Sequence, residues 1–294
     1  MIVDFHVHST ASDGTCAPAE LAVQAARGGF AAMALTDHDN CDGVAELTSA
    51  STSTSTSSHF STLRLVPGIE LSIEPGEGFD KFHLLGLGID PEDAELKTFL
   101  RRVLDGRNAR NERILANFRR LGIEMGGEIF SYAHGEVLAR PHFARWLTDH
   151  GYATDVKDAF AKYLLPDSPD ATRCYEERYH PSQAEAIGVI HGAGGLAVMA
   201  HPKYWRRDWK TSGVDYAAAE KGLAALKDLG LDGVEALYQA NTNEENIEFV
   251  RIATRLGYLK SAGSDFHGAN KPTIPLGMEV SDDYIAPLLK ALDG

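Results

Sequence analysis

Apolar and polar positions along the chain follow two rhythms. Short β-rich apolar runs at 2–8, 31–36, 63–70, 82–89, 196–201, 233–238 and 259–264 read as strands. Between them, PAELAVQAARGG, AEAIGVIHGAGG and EENIEFVRIATRLG space their apolar residues at helical intervals and end in glycine, which suits a left-handed C-terminal cap. This alternation predicts repeated βα units on a parallel sheet, and seven strands suit a barrel better than an open sheet. The predicted fold class is α/β.

Two stretches depart from the rhythm. Over 90–181, a long charged helical pattern (EDAELKTFLRRVLDGRNARNERILANFRRLG) gives way to shorter helical patterns with few strand signals. The predicted division is therefore a barrel from 1–95 and 182–294 with a mainly helical insertion, 96–181, that contributes to the substrate pocket. Most arginines of the insertion read as a solvated helix face with i,i+4 pairs. The second departure is the Ser/Thr-rich run 48–62, where a barrel helix is expected. Ser and Thr favour caps and turns over helix interiors, so a frayed helix or a mobile loop is predicted there, without chemistry.

Composition narrows the function classes. The 294 residues are 44% hydrophobic, enough for a substantial core. No apolar run approaches the roughly 20 residues of a membrane helix, and MIVDFHVHS lacks the basic start and apolar stretch of a signal peptide, so a cytoplasmic protein without a membrane partner is expected. Cys16, Cys41 and Cys174 are odd in number and far apart, which predicts reduced bystanders rather than disulfides or a thiolate metal site. A formal charge of -14 argues against capture of long nucleic acid, although carboxylates that bind cations would offset part of it.

The candidate chemistry sits at strand ends. In Asp4-Phe5-His6-Val7-His8, alternation sends His6 and His8 to one face and Val3, Phe5 and Val7 to the other. Asp13 comes next, in a Ser-Asp-Gly turn. Thr36-Asp37-His38-Asp39 ends the second strand, Pro67-Gly68-Ile69-Glu70 the third, and His83 lies in the fourth. Ala200-His201-Pro202 and Ser264-Asp265-Phe266-His267 end later strands. Six of the twelve histidines are thus in or just after strands, where βα barrels place active sites. Buried imidazoles and carboxylates are costly without partners, and metal ions satisfy several at once, so a polynuclear metal site is predicted. No GxSxG or GxxxxGK[ST] motif competes with it.

In this order HxH, the Asp-Gly turn, TDHD, PGxE, AHP and SDFH resemble the polymerase and histidinol phosphatase (PHP) domain, over nearly the whole chain. RPHFARWL, FAKYLLP and GAGGLAVMAHP resemble its branch of small phosphoesterases, which includes nucleoside 3',5'-bisphosphate phosphatases, short-RNA 5' exonucleases and a cyclic phosphate dihydrolase. The resemblance implies a distorted (β/α)7 barrel holding two or three divalent ions. One ion would take His6, His8, Glu70 and Asp265. A second would take Glu70, His83 and His201, with Glu70 bridging, and a third Asp13, His38 and His267. These nitrogen and oxygen donors suit Mn, Fe or Zn. Asp4, Asp37 and Asp39 read better as carboxylates that orient metal-bound rings than as ligands.

The implied function is hydrolysis of a small phosphate ester, a phosphomonoester or cyclic phosphodiester of a nucleotide or sugar, by attack of a metal-bridging hydroxide. Asp265 and His201 are the candidate catalytic side chains, with His201 and a metal-bound water as alternative proton donors to the leaving group. Arg140, His142, Lys162 and Lys203 are the candidate phosphate contacts. The branch's bisphosphate phosphatases tend to carry a basic residue in the turn where this chain has Pro166-Asp167-Ser168-Pro169-Asp170, which weakens the case for a second phosphate, and Arg173, Tyr175 and Arg178 are candidates to compensate. The alternatives are a 5'-3' exonuclease on short RNA, a 3',5'-bisphosphate nucleotidase, and a non-catalytic metal-binding module.

Overall fold

The computed structural model describes residues 1–53, 62–75, 82–132, 138–204, 207–208 and 213–293. They form two compact units, one from 1–100 and 181–294 and the other from 101–180. In the first unit, β1 (Ile2–Val7), α1 (Pro18–Arg27), β2 (Phe30–Leu35), α2 (Asp42–Ser53), β3 (Arg64–Ile73) and β4 (Phe82–Leu87) lead to α3 (Ala94–Arg120), which passes into the second. There α3 is followed by α4 (Arg140–Asp149), α5 (Val156–Ala159) and a turn of π-helix at Phe160–Leu164. The chain re-enters the first unit with α6 (Gln183–Gly192), β5 (Leu196–Met199), a minimal β6–β7 ladder (Arg207–Asp208 with Gly213–Val214) and α7 (Tyr216–Asp228). It ends with β8 (Gly233–Tyr238), α8 (Asn243–Leu256), β9 (Leu259–Gly263), β10 (Met278–Glu279) and α9 (Asp282–Ala291).

Eight strands make one sheet in the order β10-β1-β2-β3-β4-β5-β8-β9. The sheet nearly closes, because the chain beyond β9 returns to β1: Asp265 N–H donates to the His6 carbonyl and His8 N–H to that of Phe266, both at 2.9 Å. The α/β barrel read from the sequence is thus observed, with one departure. β4 runs antiparallel to both β3 and β5. Only eight residues separate Ile73 from Phe82, too few for the crossover that a parallel pair requires. The reversal matters for the site. It places His83, at the start of β4, beside Ser72 near the end of β3, on the same rim as the ends of the parallel strands.

β1 departs from plain alternation. Val3 and Phe5 pack with Ala32, Ala34, Val66, Val198 and Ala262, a core closed by Ile285 and Leu288 of α9. Val7 packs instead with Leu21, Ala25, Met33 and Leu35, the layer under α1. The pairing with β2 shifts register between Asp4 and Val7, so one extra residue in β1 changes the facing of the residues beyond it. The strand therefore turns polar toward the interior as it reaches the rim.

The helix ends coincide with their glycines. Gly257 caps α8 in the left-handed conformation at φ 67°, and Gly29 and Gly194, just beyond α1 and α6, have φ of 70° and 78°. α2 extends through the first residues of the Ser/Thr run to Ser53, and 54–61 lie outside the described residues. The helical unit has its own core, in which Phe118, Phe143, Trp146 and Leu164 are buried. No helix among the described residues is long and apolar enough to cross a membrane.

Candidate metal centre

Six imidazoles and three carboxylates converge at the rim. Glu70, fully buried on β3, is their centre. Its Oε1 lies 2.8 Å from His83 Nδ1 and 3.0 Å from His201 Nε2. Its Oε2 lies 2.9 Å from His38 Nδ1, 3.2 Å from His8 Nε2 and 3.3 Å from His6 Nε2. Beside this group, Asp13 Oδ1 is 3.2 Å from His267 Nε2 and 3.8 Å from His8 Nδ1, and Asp13 Oδ2 is 3.9 Å from His38 Nε2. Asp265 Oδ1 stands 3.4 Å from His8 Nε2 and 3.6 Å from His6 Nε2.

The backbone is strained where it delivers these groups. Among the described residues, His201, Asp265 and Asp39 are the non-glycine residues with positive φ, at 28°, 59° and 56°. Each lies just past a strand end. Non-glycine residues adopt this region at a cost, so local packing must hold it.

One carboxylate thus faces five imidazoles. Burial pushes the Glu70 pKa up, but His6, His38 and His83 outweigh it and hold the group well below the usual carboxylate range. Burial likewise works against protonated His6, yet Glu70, Glu235 and Asp265 hold its pKa well above the usual value. Within this charge balance several donors find no partner. Among the described residues, His8 Nδ1, His38 Nδ1 and Glu70 Oε2 are buried without a hydrogen bond, the contact between the last two being close but misaligned. Moreover, His6 Nε2 and His8 Nε2 face each other at 3.1 Å. Nitrogen and carboxylate oxygen atoms crowded about one point are what a cation satisfies. Three donor sets fit an ion: His6, His8 and Glu70; His38, Glu70 and His83; and His8, Asp13, His38 and His267. No thiolate belongs to any of them.

Asp4, Asp37 and Asp39 stand in none of these sets, and their side chains accept from backbone amides. Asp37 accepts from Ser9 N–H at 2.7 Å and from the Ser9 and Ser12 hydroxyls at 2.6 Å, fastening the loop that carries Asp13. Asp4 accepts from the Ser264 N–H and hydroxyl and from Gly277 N–H, which ties β1 to the segment bearing Asp265. Asp39 accepts from Ser72 N–H at 2.9 Å. These side chains clamp backbone because the strand ends are loops, whose amides need acceptors.

The carboxylate that does hold a ring is Glu235, missed in the sequence. Fully buried, it places Oε1 3.0 Å from His6 Nδ1, while Oε2 accepts His201 N–H at 2.6 Å. A lone acid amid the apolar run GVEALY was the available signal, since such a group is rarely buried unpaired. Two further contacts were also not foreseen: Lys271 Nζ at 2.6 Å and Tyr238 Oη at 2.9 Å both donate to Asp265 Oδ2.

The chain belongs to the PHP domain family. The family's sequence profile matches residues 4–150. A 3',5'-nucleoside bisphosphate phosphatase of Chromobacterium violaceum is 33% identical over 267 residues, covering 90% of this chain and 87% of its own. The 5'-3' exoribonuclease Rnm of Salmonella typhimurium is 31% identical over 287 residues, covering 95% and 89%. A phosphoribosyl 1,2-cyclic phosphate 1,2-diphosphodiesterase of Eggerthella lenta is 26% identical over 91% of this chain and 95% of its own. Among solved structures, an amidohydrolase from Chromobacterium violaceum with bound sulfate and no metal superposes with a TM-score of 0.79 at 29% identity, over 99% of this chain and 95% of that one. A protein from Bifidobacterium adolescentis assigned as a metal-dependent phosphoesterase gives 0.76 at 27% identity, over 98% and 96%.

Of the nine candidate ligands of this PHP chain, His201 and Asp265 stand outside the three donor sets, as do the candidate phosphate contacts. Lys203, in the turn after His201, donates to the Ala240 carbonyl and lies 3.2 Å from Glu245 Oε2. In the helical unit, Lys162 is exposed and pairs with Asp158 at 2.7 Å, an i,i+4 pair that the helical spacing explains. His142 is buried, and its Nδ1 accepts Ala139 N–H at 3.0 Å as part of the α4 cap. Arg140 begins α4, stacks over the Tyr175 ring at 5.3 Å and donates to the Leu164 carbonyl at 3.3 Å.

Proposed function

We propose that this chain is a metal-dependent phosphoesterase that hydrolyses a small phosphate ester, a phosphomonoester or a cyclic phosphodiester. The observation that carries the reading is Glu70, one buried carboxylate faced by five imidazoles with donor atoms left over. His6, His8, Glu70 and Asp265 would hold one ion. Glu70, His83 and His201 would hold a second, and Asp13, His38 and His267 a third. His8 and His38 each belong to two of the geometric sets, so the division between neighbouring ions falls at these rings. Mn, Fe or Zn suits the donors.

Divalent ions bound here would supply Lewis acidity toward the phosphoryl oxygens and an activated water. The chain's own contribution is orientation. Lys271 and Tyr238 hold Asp265 Oδ2, which leaves Oδ1 directed at His6 and His8. Glu235 fixes His6 through Nδ1, so that Nε2 points at the cluster. His201, buried on a strained turn against Glu70, and a metal-bound water are the two proposed proton donors to the leaving group. Arg140 and His142 are the proposed phosphate contacts. Lys162 and Lys203 are the weaker candidates, since each ammonium already has a carboxylate.

Purified protein loaded with Mn is tested on a panel of phosphomonoesters, cyclic phosphodiesters and 5'-phosphorylated oligoribonucleotides of two to five residues. Turnover of one of the small esters is expected, and turnover of no member overturns the reading. A second reading, a 5'-3' exoribonuclease on short RNA, draws on the exoribonuclease relatives; stepwise release of nucleotides from the oligomers, with mononucleotide esters inert, would favour it. The net charge of -14 favours the small substrate.

A further inference from the structure

One cation reaches the donor cluster from within its own unit. Among the described residues, Lys271 is the one lysine or arginine paired with Asp13, Glu70 or Asp265, its Nζ 2.6 Å from Asp265 Oδ2. It ends a short loop that also carries Asp265 and His267. That loop is fastened to the segment bearing Asp13: Asn270 Nδ2 donates to the Asp13 carbonyl at 2.7 Å and Ala269 N–H to Thr15 Oγ1 at 2.8 Å. At Gly268 φ is 62° and an added Cβ would collide with Thr15 Oγ1, so the close approach depends on glycine. The backbone that delivers two candidate ligands thus carries the lysine to the rim as well.

Orientation of Asp265 accounts for only part of this arrangement. Oδ2 already accepts the hydroxyl of buried Tyr238 at 2.9 Å, a neutral donor that holds the carboxylate without adding charge. An ammonium in the same place repels any cation held at Oδ1, so for orientation alone it is the poorer choice. Of the three N–H donors of Lys271, only the one toward Asp265 has a partner among the described residues, and 39% of the side chain is exposed. Lys203 has no such freedom: its side chain is 11% exposed, bonded to the Ala240 carbonyl and close to Glu245. The carboxylate on Lys271 is also unlike Glu245, because it is itself a candidate ligand. Asp265 shares its charge with any divalent ion it binds and then holds the ammonium less tightly. A phosphoryl group at the same place offers oxygens to the two remaining N–H groups, and the repulsion becomes attraction.

We propose that Lys271 is a specificity-determining residue, its ammonium binding a non-bridging oxygen of the substrate's phosphoryl group and favouring a phosphomonoester dianion over a cyclic phosphodiester monoanion. The inference rests on the phosphate-ester reading and narrows it, since an ammonium attracts two negative charges about twice as strongly as one. The full-length protein loaded with Mn is titrated with inorganic phosphate by calorimetry at about pH 8, where phosphate is chiefly the dianion. Mn affinity is measured separately by competition with a chelator. K271Q is expected to weaken phosphate binding by about 10- to 100-fold, the usual worth of a charge-assisted hydrogen bond, while binding Mn no more weakly than wild type. K271R, which keeps the charge, should bind phosphate more tightly than K271Q. Dimethyl phosphate, a monoanionic diester, should bind wild type more weakly than phosphate does, and K271Q should narrow that gap. Thermal melting of the metal-free variants checks that they fold.

Unchanged phosphate affinity in folded K271Q, or equal impairment of K271R and K271Q, overturns the contact. A loss of Mn affinity in K271Q makes Lys271 a support for Asp265 and overturns it too, and a phosphate-to-diester gap that K271Q leaves unchanged overturns the preference. Wild type that binds phosphate through Lys271 yet hydrolyses no ester refutes the proposed function and leaves the contact standing. Ester hydrolysis with phosphate affinity indifferent to K271Q does the reverse.

Discussion

At Glu235 a carboxylate sits buried in an apolar strand, one oxygen toward His6 and the other on the His201 amide. Glu235→Ala is expected to free the His6 ring and weaken metal binding by about 10- to 100-fold, the usual cost of losing a ligand's outer partner, measured by competition with a chelator. Asp265→Ala and His8→Ala should each lower both bound metal, read by elemental analysis, and turnover; a variant unchanged in both would remove it from the ligand set. Protonation sets a pH dependence. Burial disfavours charged His8, but the neighbouring Asp265 and Glu70 carboxylates dominate and raise its pKa to about 9 in the metal-free protein, from an ordinary 6.5. A raised pKa stabilises the metal-free fold fully below 6.5, and that stabilisation is lost as pH climbs through 9. The same proton must leave before the ring can bind an ion. Between pH 6.5 and 9 the Tm of metal-free protein should therefore fall while the gain in Tm on adding Mn grows.

The elements deliver these residues by small irregularities. A register shift in β1 between Asp4 and Val7 sets the facing of His6 and His8, and one in β8 after Glu235 adjusts that strand as well. At Gly263 of β9 an added Cβ would fall 2.2 Å from Glu235 Oε1 and 2.5 Å from His6 Cβ, so only glycine lets β9 pass behind the pair. The helices between strands are held by ordinary means. Thr242 and Glu245 form a reciprocal cap at the start of α8, at 3.1 and 2.7 Å. Thr242→Ala is expected to cost about 1 kcal/mol of stability without changing metal content, checked by urea denaturation.

For the whole molecule, ions held as proposed would link β1, β3, β4, β5 and the segments after β2 and β9, elements that the chain brings together from both ends. Chelation should lower Tm by several degrees and Mn should restore it, because an ion that binds only the folded form adds its binding free energy to stability. A melting curve indifferent to chelator would argue against a linking role. The carboxylates at the site also contribute to the formal charge of -14, so the loaded protein is less acidic than its composition states.

The seven main strands, the glycine-ended helices and all nine converging side chains were legible in the sequence, because strand periodicity and ligand-type residues at strand ends are local patterns. Three things were not. The antiparallel course of β4, which brings His83 to the rim, results from a short connection whose direction no residue pattern declares. The facing of Val7 against Val3 and Phe5 depends on a register shift, which exists only as a relation between two strands. Glu235, Tyr238 and Lys271 support the site from positions that carry no motif, since burial and partners are properties of the packed chain. Sequence alone determined which ligand-type residues stand at strand ends; the tertiary structure decided which atoms they turn toward one another, because that depends on the pairing of strands distant in the chain.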